Sequence, residues 1–164
     1  LSRPRVLLLA CGNPSRGDDA IAPLLAERVE ALAAASGAAA GVECLSVFQF
    51  QVEHALDFRG RDLVLLADAS AAAPPPFRFF RAVAEERPGH TSHAASPGLL
   101  LTAYRQAIGD APPPVFVLAV RGERFDLGAP LSPAGERHLA AAADFVAGLL
   151  AVPSAAAWER RAQP

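Results

Sequence analysis

Two adjacent carboxylates (Asp18 and Asp19), a third that closes an apolar run (Asp68) and two imidazoles in a short polar loop (His90 and His93) are the side chains best suited to chemistry. Carboxylate oxygen and imidazole nitrogen together suit nickel, zinc, manganese or iron, with open positions left for another partner. The same groups serve as general acids and bases. Helix capping and dipole complementarity account for one Asp at a helix start, but two in a row exceed what a cap needs. Taken alone, Asp68 also reads as a solvated strand end, and His90 and His93 as solvated loop residues. His54 and His138 fall in helical patterns and read as surface residues.

Familiar alternatives are missing from the sequence. No G-x-S-x-G elbow, H-E-x-x-H helix or G-x-G-x-x-G turn after a first strand occurs. Asn13–Asp19 also lacks the glycine spacing and the Lys of a phosphate loop, and its two carboxylates would repel a phosphate. Ordinary serine hydrolases, zincins and nucleotide oxidoreductases thereby lose support.

The elements that must carry these groups follow from periodicity. RVLLLAC at 5–11, VECLSV at 42–47, DLVLLAD at 62–68 and 115–120 read as strands, with the third the clearest buried run. FRFFRAV at 77–83 reads as an edge strand because of its charges. Ile21, Leu24, Leu25, Val29 and Leu32 recur at helical spacing, with Pro23 acceptable only in a first turn. Val52–Phe58 reads as a short helix. Ser96-Pro97 and Ser132-Pro133 are helix starts, each a capping Ser with Pro in the first helical position.

Strands and helices therefore alternate, which predicts an α/β fold: a mostly parallel, five-stranded sheet between two helical layers. One domain is expected over 1–152, then a frayed tail over 153–164 apart from any docking of Trp158. In such a sheet ligands collect at the carboxyl ends of the strands. Asp18 and Asp19 follow the first strand, Asp68 ends the third, and His90 and His93 follow the fourth, so all are expected at that edge.

A formal net charge of -2 gives no basic excess to attract nucleic acid. Cys11 and Cys44 lack metal spacing and read as buried, reduced thiols, as expected in a cytoplasmic protein. RVLLLAC is too short for a signal peptide, and no apolar run approaches the ~20 residues of a membrane span.

VLLLACGNPSRGDDAIAP resembles the opening of hydrogenase maturation endopeptidases, a strand followed by G-N-x-x-x-x-D-[DE]. LVLLADAS is similar to their strand ending in Asp-Ala. TSHAASPGLLL is similar to their His loop before a helix, and FDLGAPLSP to a C-terminal segment. QFQVEHALDF resembles a Gln-x-x-x-Glu segment of some members. The matches run in order from Arg5 to Leu150. Ala20 and Ala22 stand where many members have Gly, a departure that bears on the loop's shape.

The resemblance implies a twisted sheet flanked by helices. It also implies removal of a short C-terminal peptide from the large-subunit precursor of a nickel-iron hydrogenase, after nickel insertion. The family's metal-contacting residues carry over as Asp19, Asp68 and His93, which serve as both the catalytic and the metal-contacting set, with Asp18 their neighbour. No intrinsic cofactor is implied; the nickel belongs to the substrate. Peptide hydrolysis would be of aspartic type or metal-assisted. The alternative reading is a non-catalytic metal- or ligand-binding module on the same scaffold.

Overall fold

The computed structural model describes residues 4–37, 41–85 and 94–164. Five strands, β1 (Val6–Cys11), β2 (Val42–Val47), β3 (Leu63–Ser70), β4 (Phe77–Arg81) and β5 (Val115–Arg121), form one sheet in the order β2-β1-β3-β5-β4. All neighbours are parallel except β4, which runs antiparallel to β5 at one edge. The predicted mostly parallel, five-stranded α/β sheet is the one found.

Each face of the sheet needs its own apolar layer, which is why β1 and β3 read as unbroken apolar runs. Val6, Leu8 and Ala10 point into one core with Leu63, Leu65, Phe116 and Leu118. Helices α1 (Ile21–Ser36), α3 (Pro133–Ala151) and α4 (Ala155–Arg161) cover that face through Ile21, Leu25, Val29, Leu139, Val146 and Trp158. Leu7, Leu9, Cys11, Val64 and Leu66 point the other way. There they meet a 3-10 helix (Val52–Phe58) and α2 (Pro97–Ile108) through Phe58, Leu100, Leu101 and Tyr104. Both Ser-Pro starts are real caps: Ser96 accepts from the Leu99 N–H, and Ser132 from the Gly135 N–H. Pro23 lies in the first turn of α1, where its missing N–H costs nothing.

Two features depart from the sequence reading. Because β4 is antiparallel, it ends at Arg81 opposite Phe116, at the amino edge of the parallel strands. The chain then turns back over the α2 face: Ala82 N–H bonds the Val115 carbonyl, and Glu85 bonds the Ser96 hydroxyl and the Gly98 carbonyl at the start of α2. In addition, residues 155–161, inside the stretch read as a frayed tail, form α4. Trp158 is fully buried against Phe116 and Phe79, at 5.5 and 6.4 Å between ring centroids, and its ring N–H donates to the Leu149 carbonyl. Beyond α4, the Gln163 N–H donates to the Phe79 carbonyl and covers part of the open edge of β4.

Among the described residues no helix is long and apolar enough to cross a membrane.

Trp158→Ala should lower the free energy of unfolding by about 3–5 kcal/mol, the usual cost of emptying a large aromatic site. Urea denaturation measures this; a loss below about 1 kcal/mol would place α4 outside the cooperative core.

Candidate functional site

β1 lies between β2 and β3, so the chain leaves β1 in one direction along the sheet and later returns on its other side. In open α/β sheets such a reversal marks the crevice that binds ligands, which places it here at the carboxyl ends of β1 and β3. Cys11 and Asp68 are register partners at this point, and Ala119 of β5 flanks Asp68 on its other side. Asp68 follows the alternation of Val64 and Leu66, so its carboxylate lies on the α2 face at the end of that core.

The two adjacent aspartates have separate tasks. Asp18 is 0% exposed. Its Oδ2 accepts from the N–H groups of Glu123 and Arg124 and from the Ser132 hydroxyl, at 2.7, 3.1 and 2.6 Å, while Oδ1 accepts from the Ser132 N–H at 2.8 Å. It therefore caps neither its own turn nor α1, but fastens the loop after β1 to the loop between β5 and α3. Backbone bonds reinforce the join: Asp18 N–H to the Arg124 carbonyl, Gly17 N–H to Ala129 and Gly128 N–H to Ser15. Gly17 has a φ of 54°, and a Cβ there would lie 2.5 Å from the Arg124 carbonyl oxygen, so only glycine fits. Burial pushes the Asp18 carboxyl up, but the Ser132 hydroxyl and the N–H groups of Glu123, Ser132 and Arg124 outweigh that push and hold it below the ordinary value.

Asp19 is half-buried, and its Oδ2 accepts from the Asn13 N–H at 2.7 Å. The fit against β1 is close: a Cβ on Gly12 would lie 2.0 Å from the Asp19 carbonyl oxygen. Asp19 and Asp68 are near enough to act on each other. Burial pushes the Asp68 carboxyl up to about 7, the Asp19 charge adds to the push, and the Ala69 N–H opposes it. Burial and the charges of Asp68 and Asp19 raise the Cys11 thiol to about 12, and burial with Glu30 and Glu43 raises Cys44 to about 12. Neither thiol is poised as a nucleophile, and both are free.

Among the expected site residues, then, Asp19 and Asp68 come together, and Asp18 is turned away into the protein. His90 and His93 lie outside the described residues. Ala95, two positions after His93 in the chain, donates its N–H to the Phe50 carbonyl at 2.7 Å, and Phe50 packs in the cluster that contains Cys11. The other two imidazoles have structural work. His54 Nδ1 accepts from the Gln51 N–H, and His138 Nδ1 lies 2.8 Å from the Arg121 carbonyl oxygen. Ala20 has a φ of −74° and Ala22 lies within α1, conformations that any residue adopts, so the backbone there makes no demand for glycine. Sequence reasoning took Ser132 as a helix cap only; its second bond, to a carboxylate 114 positions earlier, has no local signature.

No family model matches the chain, and no curated protein matches it. Solved structures do. A [NiFe] hydrogenase maturation protease, HycI from Thermococcus kodakarensis KOD1, superposes with a TM-score of 0.68 at 20% identity, over 90% of this chain and 92% of that one. The hydrogenase maturating endopeptidase HybD from E. coli gives 0.65 at 26% identity, over 88% and 91%. The solution structure of an endopeptidase from Escherichia coli gives 0.64 at 27% identity, over the same shares. Over about nine-tenths of its length the chain thus has the fold of hydrogenase maturation proteases, and the resemblance noted from sequence extends to structure.

Two stability measurements separate the aspartates. With its pKa held low in the folded state, Asp18 stabilises the fold fully above about pH 4, and that contribution fades as pH falls through the depressed value. Asp18→Asn should cost about 3 kcal/mol at pH 7, with the gap to the parent narrowing below about pH 4. Chemical denaturation at both pH values checks this; a gap that ignores pH would make the role of Asp18 purely steric. Asp68 has the opposite sign: its folded pKa is raised, so ionisation destabilises the fold increasingly as pH climbs from about 4 to about 7. Asp68→Asn should therefore be more stable than the parent at pH 8, by on the order of 2 kcal/mol, and equal to it near pH 4. Thermal melts of both proteins at the two pH values decide it.

Proposed function

We propose that this protein is an endopeptidase that removes a short C-terminal peptide from the nickel-loaded large-subunit precursor of a nickel-iron hydrogenase. The observation that carries the reading is the meeting of Asp19 and Asp68 at the crevice between β1 and β3, on a fold shared with hydrogenase maturation proteases. Asp19, Asp68 and His93 are the residues proposed to contact the metal and to serve catalysis, with His93 assigned from the sequence resemblance. A cytoplasmic location goes with this reading.

Carboxylate and imidazole suit nickel as ligands. In this reading the ion is part of the substrate, already held by the precursor. Two carboxylates and one imidazole fill only part of a metal's coordination, which fits a cation that arrives with other ligands attached. The metal then acts as a template that aligns the scissile bond, and as a Lewis acid towards the peptide carbonyl or the attacking water. Two neighbouring anionic groups also favour a cationic partner at this point. Asp19 is held in place by the Asn13 N–H and, through its chain neighbour Asp18, by the loop before α3. A precursor without nickel would lose the docking energy, so that cleavage reports completed metal insertion.

The test is mass spectrometry of a nickel-loaded large-subunit precursor from the same organism, with and without this protein. The expected result is loss of a discrete C-terminal peptide, absent when nickel is omitted. Asp19→Asn and Asp68→Asn should each slow processing by about a hundredfold or more, and His93→Ala should abolish it while leaving the fold intact. Full processing by His93→Ala would sink the role given to that residue. An unchanged precursor mass with folded protein and a competent precursor would favour a non-catalytic metal- or ligand-binding module.

A further inference from the structure

The two edges of the sheet are treated differently. At β4, the Gln163 N–H covers the Phe79 carbonyl and Arg78 bonds the Pro164 carbonyl. At β2 no strand lies beyond, among the described residues. The Gly41 and Val47 carbonyls accept from the Val6 and Gly12 N–H groups at 2.9 and 3.0 Å. Backbone direction alternates along a strand, so the odd-numbered residues of β2 face β1 and the backbone of Val42, Cys44 and Ser46 faces outward. An exposed row of this kind is a template for another extended chain.

Beside the end of that row lies a cleft of about 180 Å³ lined by Gly12, Pro14, Pro23, Ser46, Val47 and Phe48. Its lining carries no charged side chain and is mostly apolar. Phe48 is 75% exposed, and Val52 and Leu56 of the following 3-10 helix are also exposed. The cleft adjoins the carboxylate site at Gly12, against which the Asp19 backbone carbonyl packs. Gly12 follows Cys11, whose thiol bonds the Phe48 carbonyl at 3.7 Å and pairs in register with Asp68. Gly12 also precedes Asn13, whose N–H holds Asp19. An occupant entering along β2 would reach Asp19 and Asp68 within a few residues. Those two carboxylates would repel an acidic occupant, and the apolar walls would leave a buried charge of either sign unpaired.

We propose that the open edge of β2 and this cleft seat an extended, aliphatic stretch of the precursor's C-terminal segment. Its backbone pairs with Ser46, and one aliphatic side chain enters the cleft next to the bond to be cut. The inference rests on the endopeptidase reading above. It names a recognition element that the metal site does not supply, one that reads the peptide rather than the ion.

Ser46 and Phe48 are both exposed, so they can be changed with little effect on the core. Ser46→Trp fills the cleft, and Phe48→Ala removes one wall. With nickel-loaded precursor as the probe, each should raise KM about tenfold, the order expected for loss of one well-fitted apolar side chain, with kcat within about twofold of the parent. Replacing the aliphatic residue of the precursor next to the cleavage point by Asp should have the same effect on the parent protein. If the parent does not cleave the precursor, the endopeptidase reading falls and this inference with it. If the parent cleaves and both variants keep its KM, whatever happens to kcat, the inference alone is overturned.

Discussion

A carboxylate removed from water costs several kcal/mol unless donors replace the water it has lost. Asp18 has lost all of it and has four donors in return, three from backbone N–H groups and one from the Ser132 hydroxyl. Those donors lie more than a hundred positions away in the chain, so this one group makes the loop after β1 and the loop before α3 a single body. The Ser132 hydroxyl also takes part in the cap of α3, accepting from Gly135 while it donates to Asp18. Helix start, loop and turn are thereby fixed together. The half-buried Asp19 inherits its position from a neighbour that has no freedom to move.

This arrangement explains why two aspartates stand side by side. A single residue could not both accept four internal hydrogen bonds and face a crevice. Splitting the work lets Asp18 stabilise the fold while Asp68, at the crevice, does the reverse. Asp68 sits on a buried strand end near another negative charge, and that placement raises its pKa to about 7 because the folded protein resists ionising it. Strain of this kind, kept at a crevice and compensated by a well-satisfied buried group nearby, is the usual relation between a functional site and its scaffold.

Much of this architecture is readable in the sequence because it depends on local chemistry. Unbroken apolar runs mark β1 and β3, and Ser-Pro pairs mark the starts of α2 and α3. What is not readable depends on distant partners. Ser154 caps α4 and Ala155–Ala157 favour a helix, but seven residues are too few to hold one until Trp158 finds Phe79, Phe116 and the Leu149 carbonyl. The antiparallel direction of β4 cannot be inferred from FRFFR, since charge marks an edge strand but not its polarity. The same limit applies to the Asp pair. Their type and spacing mark a site, yet which of them turns inward is decided by Ser132 and the backbone of residues 123 and 124, which carry no matching signal.

The strand order adds a constraint of its own. Because β1 and β3 are neighbours, the two carboxylates of the site come from segments about fifty residues apart, one inside β3, two residues before its end, and one in the 3-10 turn after β1. Groups positioned by different elements can be close without being joined, so they can face a ligand without enclosing it. A site that enclosed a metal fully would bind the free ion and lose any dependence on the protein that brings it. A site that offers only part of the coordination binds best when the rest is supplied by the partner, which converts metal affinity into recognition of the loaded partner. The open crevice and the two mutually repelling acids thus accord with the proposed reading of a loaded partner.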